Sequence, residues 1–237
     1  MQFSLFARLC LSVGLALLIS DCVWVSAKTP TAQTDEVRQY EVTVKNELVG
    51  SATVRISSAP DATTTTTTID TSVLARFFLY KYRYEFHGSE TWLGDQLVKF
   101  DGKVNDNGKV LHVEGVVDRQ GSIISIDGKQ SRQGLWLAMT MNYWRVPSTN
   151  ASASGSFSII EPDTGLVHTV KLQDIGPDRV VVDGREVECR HCRISGDASA
   201  ELWFDASDRL VRQQTVEQGY LTELRLARID HDTAVRP

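Results

Sequence analysis

The segment FFLYKYRYEFHGSETWLGDQLVKFDGKVNDNGKVLHVE, from Phe77 to Glu114, decides the fold class. In its first part every second residue is aromatic: Phe78, Tyr80, Tyr82, Tyr84 and Phe86. Because successive side chains of a β-strand point to opposite faces, this alternation predicts a strand with one aromatic and one charged face. A helix would scatter the same rings around its circumference, so the period favours the strand.

Residue pairs typical of tight turns divide the rest of the chain into short runs in which apolar and polar residues alternate. Asn107-Gly108 and Asp183-Gly184 supply residues that accept the positive φ of tight hairpins. The six threonines from Thr63 to Thr68 are β-branched, so they indicate another strand rather than a disordered tract. Residues 38–230 are therefore predicted to form one all-β domain. Its expected architecture is a single curled antiparallel meander, as in a half-open barrel or a β-spiral.

One apolar stretch, GLWLAMTMNYWRVP at residues 134–147, departs from the alternation. Leu137, Met141 and Trp144 would share one face of a helix, so at most one short helix, or a plug, is expected there. A polar tail at 231–237 completes the prediction.

The first 27 residues resemble a secretory signal peptide. Arg8 precedes an apolar run that is too short to span a bilayer, and Val25-Ser26-Ala27 offers small residues before a cleavage point. We therefore expect export, cleavage after Ala27, a flexible leader at 28–37 and a periplasmic or secreted protein without a transmembrane span. The alternatives are a lipoprotein attached at Cys22, which the preceding Asp21 disfavours, and an uncleaved anchor.

Composition limits the classes of function. The chain has 237 residues, a net charge of −5 and 42% hydrophobic residues, enough for one substantial core. Lys and Arg are interspersed with Asp and Glu and form no basic block. Because nucleic-acid domains need a positive surface, no nucleic-acid partner is expected.

Several short motifs in fixed order resemble a group of exported bacterial domains of unknown function. The motifs are Tyr82-x-Tyr84, Glu90-x-Trp92, Gly94-x-x-Leu97, Asn107-Gly108, Tyr143-Trp144, Asp163-Thr164-Gly165 and Leu202-Trp203-Phe204-Asp205, with Leu210-Val211 and Gly219 behind them. The resemblance implies an envelope-associated wrapped antiparallel sheet, similar in shape to periplasmic lipoprotein carriers. It implies no activity and no catalytic residues.

The aromatic face is the predicted ligand-binding surface. A curled sheet that does not close has a concave face wide enough for a lipid, a glycan or an envelope protein. The residues predicted to line it are Phe78, Tyr80, Tyr82, Tyr84, Phe86 and Trp92. The competing interpretation is that these rings fill the core of a barrel that has no helices to cover it.

The pair Cys189 and Cys192 resembles a redox motif or half a zinc site. On an extended strand their Cα atoms would lie roughly 10 Å apart with the thiols on opposite faces, whereas a disulfide needs about 7 Å or less. Buried structural cysteines are therefore predicted, with a disulfide as the alternative that a local bulge would permit. The five histidines show no metal-ligand spacing, so no metal or cofactor is predicted.

The sequence is compatible with three hypotheses of function. The first hypothesis is a non-catalytic binding or scaffold protein of the cell envelope, because no nucleophile elbow or catalytic motif is present in the sequence. One alternative is a glycan or ester hydrolase that uses Glu90 and Asp205, since each lies near a tryptophan that could stack on a sugar. The other is a structural envelope-integrity factor with a filled core.

Overall fold

Long antiparallel hairpins make up nearly all of the domain, as a computed structural model shows. It describes residues 34–59, 63–77, 80–146, 155–217 and 219–233. These residues form fifteen strands and no helix. The strands are β1 (Thr34–Val44), β2 (Glu47–Ser58), β3 (Thr64–Phe77), β4 (Tyr80–Leu93), β5 (Gln96–Asp106), β6 (Lys109–Asp118), β7 (Gly121–Ile126), β8 (Lys129–Gln133), β9 (Leu137–Thr140), β10 (Ser156–Ile160), β11 (Val167–Val182), β12 (Arg185–Gly196), β13 (Ala200–Phe204), β14 (Leu210–Glu217) and β15 (Tyr220–Thr233).

All fifteen strands join one sheet in the order β8-β7-β6-β5-β4-β3-β2-β1-β15-β14-β13-β12-β11-β10-β9. Each strand therefore pairs with its neighbour in sequence, and β1 and β15 meet in the middle to join the two halves. The predicted all-β meander is confirmed. One detail is corrected, because β9 runs parallel to β10 and makes the sheet mixed at that edge.

The turns follow the signals in the sequence. Asn107 and Gly108 adopt φ values of 52° and 96°, the left-handed conformation that a tight hairpin needs. The side chain of Asn105 accepts a hydrogen bond from the backbone N–H of Gly108 over 2.9 Å, which fixes the turn between β5 and β6.

The strands extend further than predicted at both ends of the domain. β1 begins at Thr34, inside the predicted flexible leader, and β15 continues to Thr233, inside the predicted tail. The two ends pair with each other in register, Thr34 opposite Thr233, so each supplies the hydrogen bonds that keep the other extended. The predicted signal peptide at 1–27 lies outside the described residues.

Residues 134–146, part of the segment where at most one short helix or a plug is expected, contain β9 and a turn and no helix. Leu137 and Met139 alternate on the buried side, and Met141 donates its backbone N–H to the carbonyl of Ile160 over 2.9 Å. The apolar residues of this segment are spaced as in a helix, but pairing with β10 holds the segment extended.

One face of the sheet, the inner face, encloses a single apolar cluster. β9 and the chain that follows it pack over β4 and β5 of the other half. The largest fully buried side chains include Tyr40, Leu97, Phe100, Ile159 and Phe204. No helix long and apolar enough to cross a membrane is found among the described residues.

Candidate functional site

The described side chains of the predicted aromatic ladder, from Tyr82 to Trp92, lie on the inner face of β4. Phe78 lies outside the described residues, and only the backbone of Tyr80 is described. Tyr82 and Tyr84 are half-buried. Phe86 and Trp92 belong to the apolar core and keep only 5% and 2% of their surface exposed. The described part of the ladder is therefore half-buried at Tyr82 and Tyr84 and packed into the core at Phe86 and Trp92.

Tyr84 connects the ladder to the opposite half of the domain. Its hydroxyl donates a hydrogen bond to Oδ2 of Asp163 over 2.9 Å, across 79 residues of sequence. Burial raises the pKa of Asp163, although the bond from Tyr84 acts against this shift. This contact joins two of the motifs noted in the sequence, Tyr82-x-Tyr84 and Asp163-Thr164-Gly165.

Glu90 is a buried carboxylate, 2% exposed, that accepts hydrogen bonds from four uncharged side chains. The indoles of Trp92 and Trp144 donate to Oε2 over 2.9 and 2.7 Å. The Thr140 hydroxyl and the Asn142 amide donate to Oε1 over 2.5 and 2.7 Å. Both oxygens are saturated, so Glu90 fixes the 140–144 segment onto β4.

The side chain of Arg145 covers this cluster on the solvent side. The guanidinium of Arg145 lies 5.1 Å from the Trp92 ring and 5.5 Å from the Trp144 ring, and it forms an ion pair with Asp95. Such cation–π contacts stabilise the rings and shield Glu90 from water. The hydrolase alternative required a carboxylate that substrate can reach, and no such access is found at Glu90.

Asp205, the second carboxylate of the hydrolase alternative, organises the turn after β13. It accepts hydrogen bonds from the backbone N–H groups of Ser207 and Arg209, over 2.8 and 3.1 Å, and from the Arg209 guanidinium over 2.8 Å. These bonds are those of a side-chain-capped turn. Both predicted hydrolase carboxylates thus have structural hydrogen-bond partners.

The two cysteines of β12 are free and buried. They lie three positions apart on an extended strand, so their side chains point to opposite faces. The register irregularity beside them lies in β11, opposite His191 and Cys192, and both thiols are free, so the structure gives the alternative of a Cys189–Cys192 disulfide no support. Burial raises the pKa of the Cys189 thiol to about 11, and the nearby carboxylates of Asp205 and Asp178 add to this shift.

A groove of about 480 Å³ lies on the outer face of β2 to β5. Its lining includes the polar side chains of Ser51, Asp70, Ser72, Glu85, His87 and Lys103, although most of the surface it exposes is apolar. Asp70, His87 and Lys103 lie directly opposite one another on β3, β4 and β5. A ring nitrogen of His87 lies 2.6 Å from a carboxylate oxygen of Asp70. Paired strands therefore fix these polar groups in a row.

Sequence reasoning missed this groove and a neighbouring cluster. Asp101, His112 and Glu114 hold one possible ligand atom each, all within 4.8 Å of one another. The local signal was His112-Val113-Glu114, in which alternation places both polar side chains on one face of a strand. The third member comes from β5, and only the strand register reveals it.

Comparisons with known proteins agree with the fold. Residues 40–227 match a family described as a domain of unknown function, DUF6134. The crystal structure of a β-barrel-like protein of the domain of unknown function DUF1849 from Brucella abortus aligns with a TM-score of 0.62 and 8% sequence identity. The alignment covers 85% of this chain and 99% of that one. At this identity the similarity shows the fold alone. No curated protein matches the sequence.

Proposed function

The chain belongs to the DUF6134 family of domains of unknown function, and from this premise we propose that it is an exported, non-catalytic binding protein of the cell envelope. Its ligand lies in the outer groove over β2 to β5. Export rests on the predicted signal sequence at residues 1–27. The observation that carries the binding role is the groove itself, whose volume of about 480 Å³ falls within the range of small-ligand sites.

The groove suits a hydroxyl-rich ligand, and we assign it a glycan. Carboxylates such as Asp70 and Glu85 accept hydrogen bonds, Lys103 donates them, and Ser51 and Ser72 do both. Sugar hydroxyls require donors and acceptors close together, and this group of side chains provides both. The rigid strands that carry these groups also reduce the entropy lost on binding.

The outer groove replaces the aromatic ladder as the proposed binding surface. Phe86 and Trp92 are buried in the core and keep only 5% and 2% of their surface exposed, although Phe86 also borders the groove. Tyr82 and Tyr84 keep part of their surface, and Tyr84 already donates to Asp163. We therefore assign Phe86 and Trp92 mainly a packing role.

The test is a titration of the ¹⁵N-labelled protein with soluble chito-oligosaccharides and with muramidase-released cell-wall fragments. We expect saturable amide shifts confined to β2–β5. We also expect at least about tenfold weaker binding in Asp70→Ala and Lys103→Ala, equivalent to about 1.4 kcal/mol each. The matched control is Glu186→Gln, which removes an exposed carboxylate paired with Arg179 far from the groove-lining residues and should bind normally.

Three results would overturn this proposal. Changes in amide chemical shift centred on Tyr82 and Tyr84 would show that the ligand binds the aromatic ladder instead. Binding to phosphatidylethanolamine–phosphatidylglycerol vesicles but not to glycans would show that the ligand is a lipid. No saturable binding to either probe would remove the binding role and leave the packed interior as the basis of a structural role.

A further inference from the structure

We propose that Asp101, His112 and Glu114 form a binding site for one divalent transition-metal ion, such as Zn²⁺, on the outer face of β5 and β6. The inference is independent of the glycan proposal, because none of these three residues is among those that line the groove. It rests on the strand register, on the chemistry of the three side chains and on an unpartnered hydroxyl beside them.

The strand register brings the three side chains together. Asp101 of β5 lies directly opposite Glu114 of β6, and His112 precedes Glu114 by two residues, so all three point to the same face. Nε2 of His112 lies 2.9 Å from Oδ2 of Asp101. All three side chains are half-buried, which limits competition from water while leaving an entry path.

These distances are close to those of a metal site. Zn²⁺ bonds to imidazole nitrogen and carboxylate oxygen at about 2.0–2.2 Å, so two ligand atoms of a tetrahedral ion lie roughly 3.3 Å apart. The three ligand atoms lie within 4.8 Å of one another, and small side-chain rotations would close the difference. The ion would take the place of the proton now shared by His112 and Asp101, and that proton would leave to solvent.

The ligand set selects the class of ion. One imidazole and two carboxylates suit Zn²⁺ or Mn²⁺, whereas Ca²⁺ and Mg²⁺ prefer all-oxygen sites. The Irving–Williams order then places Zn²⁺ ahead of Mn²⁺. Three protein ligands leave the fourth position of a tetrahedral ion open to water or to a ligand atom.

An unpartnered hydroxyl next to the cluster is a second, independent observation. Ser125 of β7 lies directly opposite Glu114, on the same face, and is 4% exposed. Its Oγ is buried and has no hydrogen-bond partner among the residues that the structure describes. Buried hydroxyls nearly always form a hydrogen bond, so we expect the Ser125 hydroxyl to find a partner at this site. A metal-bound water, or Glu114 after reorientation onto the ion, supplies it.

The chain contains a matched comparison for this cluster. His87 pairs with Asp70 at 2.6 Å on the same outer face, as His112 pairs with Asp101. Within the described part of the chain, His87 and Asp70 belong to no group of three ligands, whereas His112 and Asp101 do, through Glu114. His87→Gln therefore removes an imidazole–carboxylate pair without touching the proposed site.

The experiment is calorimetric titration of ZnCl₂ into tag-free, chelator-treated protein. We expect one site per chain and at least about tenfold weaker binding in His112→Gln, Glu114→Gln and Asp101→Asn, with His87→Gln unchanged. Thermal unfolding of each metal-free variant checks that the fold is intact. Lys103 lies opposite His112, so Lys103→Met should tighten binding by removing a nearby positive charge.

Distinct results would overturn the assignment. An equal loss of Zn²⁺ affinity in His87→Gln and His112→Gln would show that Zn²⁺ binds non-specifically to surface imidazoles. Wild-type affinity in Glu114→Gln would remove the three-ligand site. Tighter binding of Ca²⁺ or Mg²⁺ than of Zn²⁺ would contradict the ligand chemistry. Failure of glycan binding would bear on none of these outcomes.

Discussion

The indole N–H of Trp144 donates a hydrogen bond to Oε2 of Glu90 over 2.7 Å, across 54 residues of sequence. This bond joins the chain after β9 to the inner face of β4. Together with the bonds from Thr140 and Asn142, it holds one half of the sheet against the other. The four partners of Glu90 are all uncharged hydrogen-bond donors, so Glu90 acts as a buried acceptor that holds this segment in place.

Replacing Glu90 by Gln should destabilise the fold strongly. The new amide would point its N–H groups at donors that need an acceptor, and each unsatisfied donor costs roughly 1–3 kcal/mol. We expect a loss of at least about 2 kcal/mol in the free energy of unfolding, measured by urea titration. Glu186→Gln, which changes an exposed ion pair, should stay within about 0.5 kcal/mol of the wild type. A Glu90→Gln protein of wild-type stability would show that the cluster does not hold the segment.

Local signals in the sequence predicted the strands and turns well, because both depend on neighbours a few residues apart. Asn107-Gly108 and Asp183-Gly184 adopt the positive φ that their residue types predict. The alternation from Tyr82 to Phe86 likewise marked β4 correctly. These features needed no knowledge of the rest of the chain.

Long-range contacts could not be predicted in the same way. Nothing near Glu90 in sequence indicates that residues 140–144 supply three of its four donors. The Asp101–His112–Glu114 cluster likewise depends on which residue of β5 lies opposite Glu114. A shift of one residue in that register would turn Asp101 to the inner face, so only the folded sheet defines the site.

A second prediction tests how closely the two halves approach. A Cβ atom at Gly102 would lie 2.1 Å from the backbone carbonyl oxygen of Pro162, a contact that no side chain tolerates. Gly102→Ala should therefore cost about 1–3 kcal/mol in the free energy of unfolding. Gly134→Ala is the control, because a Cβ there meets nothing within 4 Å. Equal stability of the two variants would contradict the packing of the Pro162 loop on β5.

A third prediction concerns the Cys189 thiol. With its pKa raised from 9.0 to about 11, its thiolate fraction at pH 8 falls about a hundredfold. In a background of Cys10→Ser, Cys22→Ser and Cys192→Ser, Ellman's reagent should react at least about a hundredfold more slowly with the folded protein than with the urea-unfolded chain.

The protein that retains both Cys189 and Cys192 provides the complementary measurement. Because their side chains point to opposite faces of β12, mass spectrometry after air exposure should find both thiols reduced. A loss of two hydrogens per chain would show that the strand bends enough to pair them. Fast reaction of folded Cys189 would contradict its burial.

The last prediction concerns alkaline stability and Tyr40. Burial raises the pKa of Tyr40 to about 12, although Arg38 acts against this shift, and its hydroxyl donates to the carbonyl of Leu210 over 3.0 Å. Above pH 10 the unfolded chain loses the phenolic proton while the folded protein keeps it. The unfolded state then binds fewer protons, so stability falls as pH rises, by up to about 1.4 kcal/mol per pH unit between pH 10 and 12.

Tyr40→Phe separates this effect from simple packing. The variant should be less stable at pH 8 by about 1 kcal/mol, because the bond to Leu210 is lost. Its stability should then fall less steeply above pH 10, so the two urea-midpoint curves converge. Tyr143, whose pKa burial also raises, keeps some of the slope in both proteins. Parallel curves from pH 8 to 11 would show that the Tyr40 phenol ionises as easily in the folded protein as in the unfolded chain. They would place Tyr40 outside the core that joins β1 to the Leu210 strand.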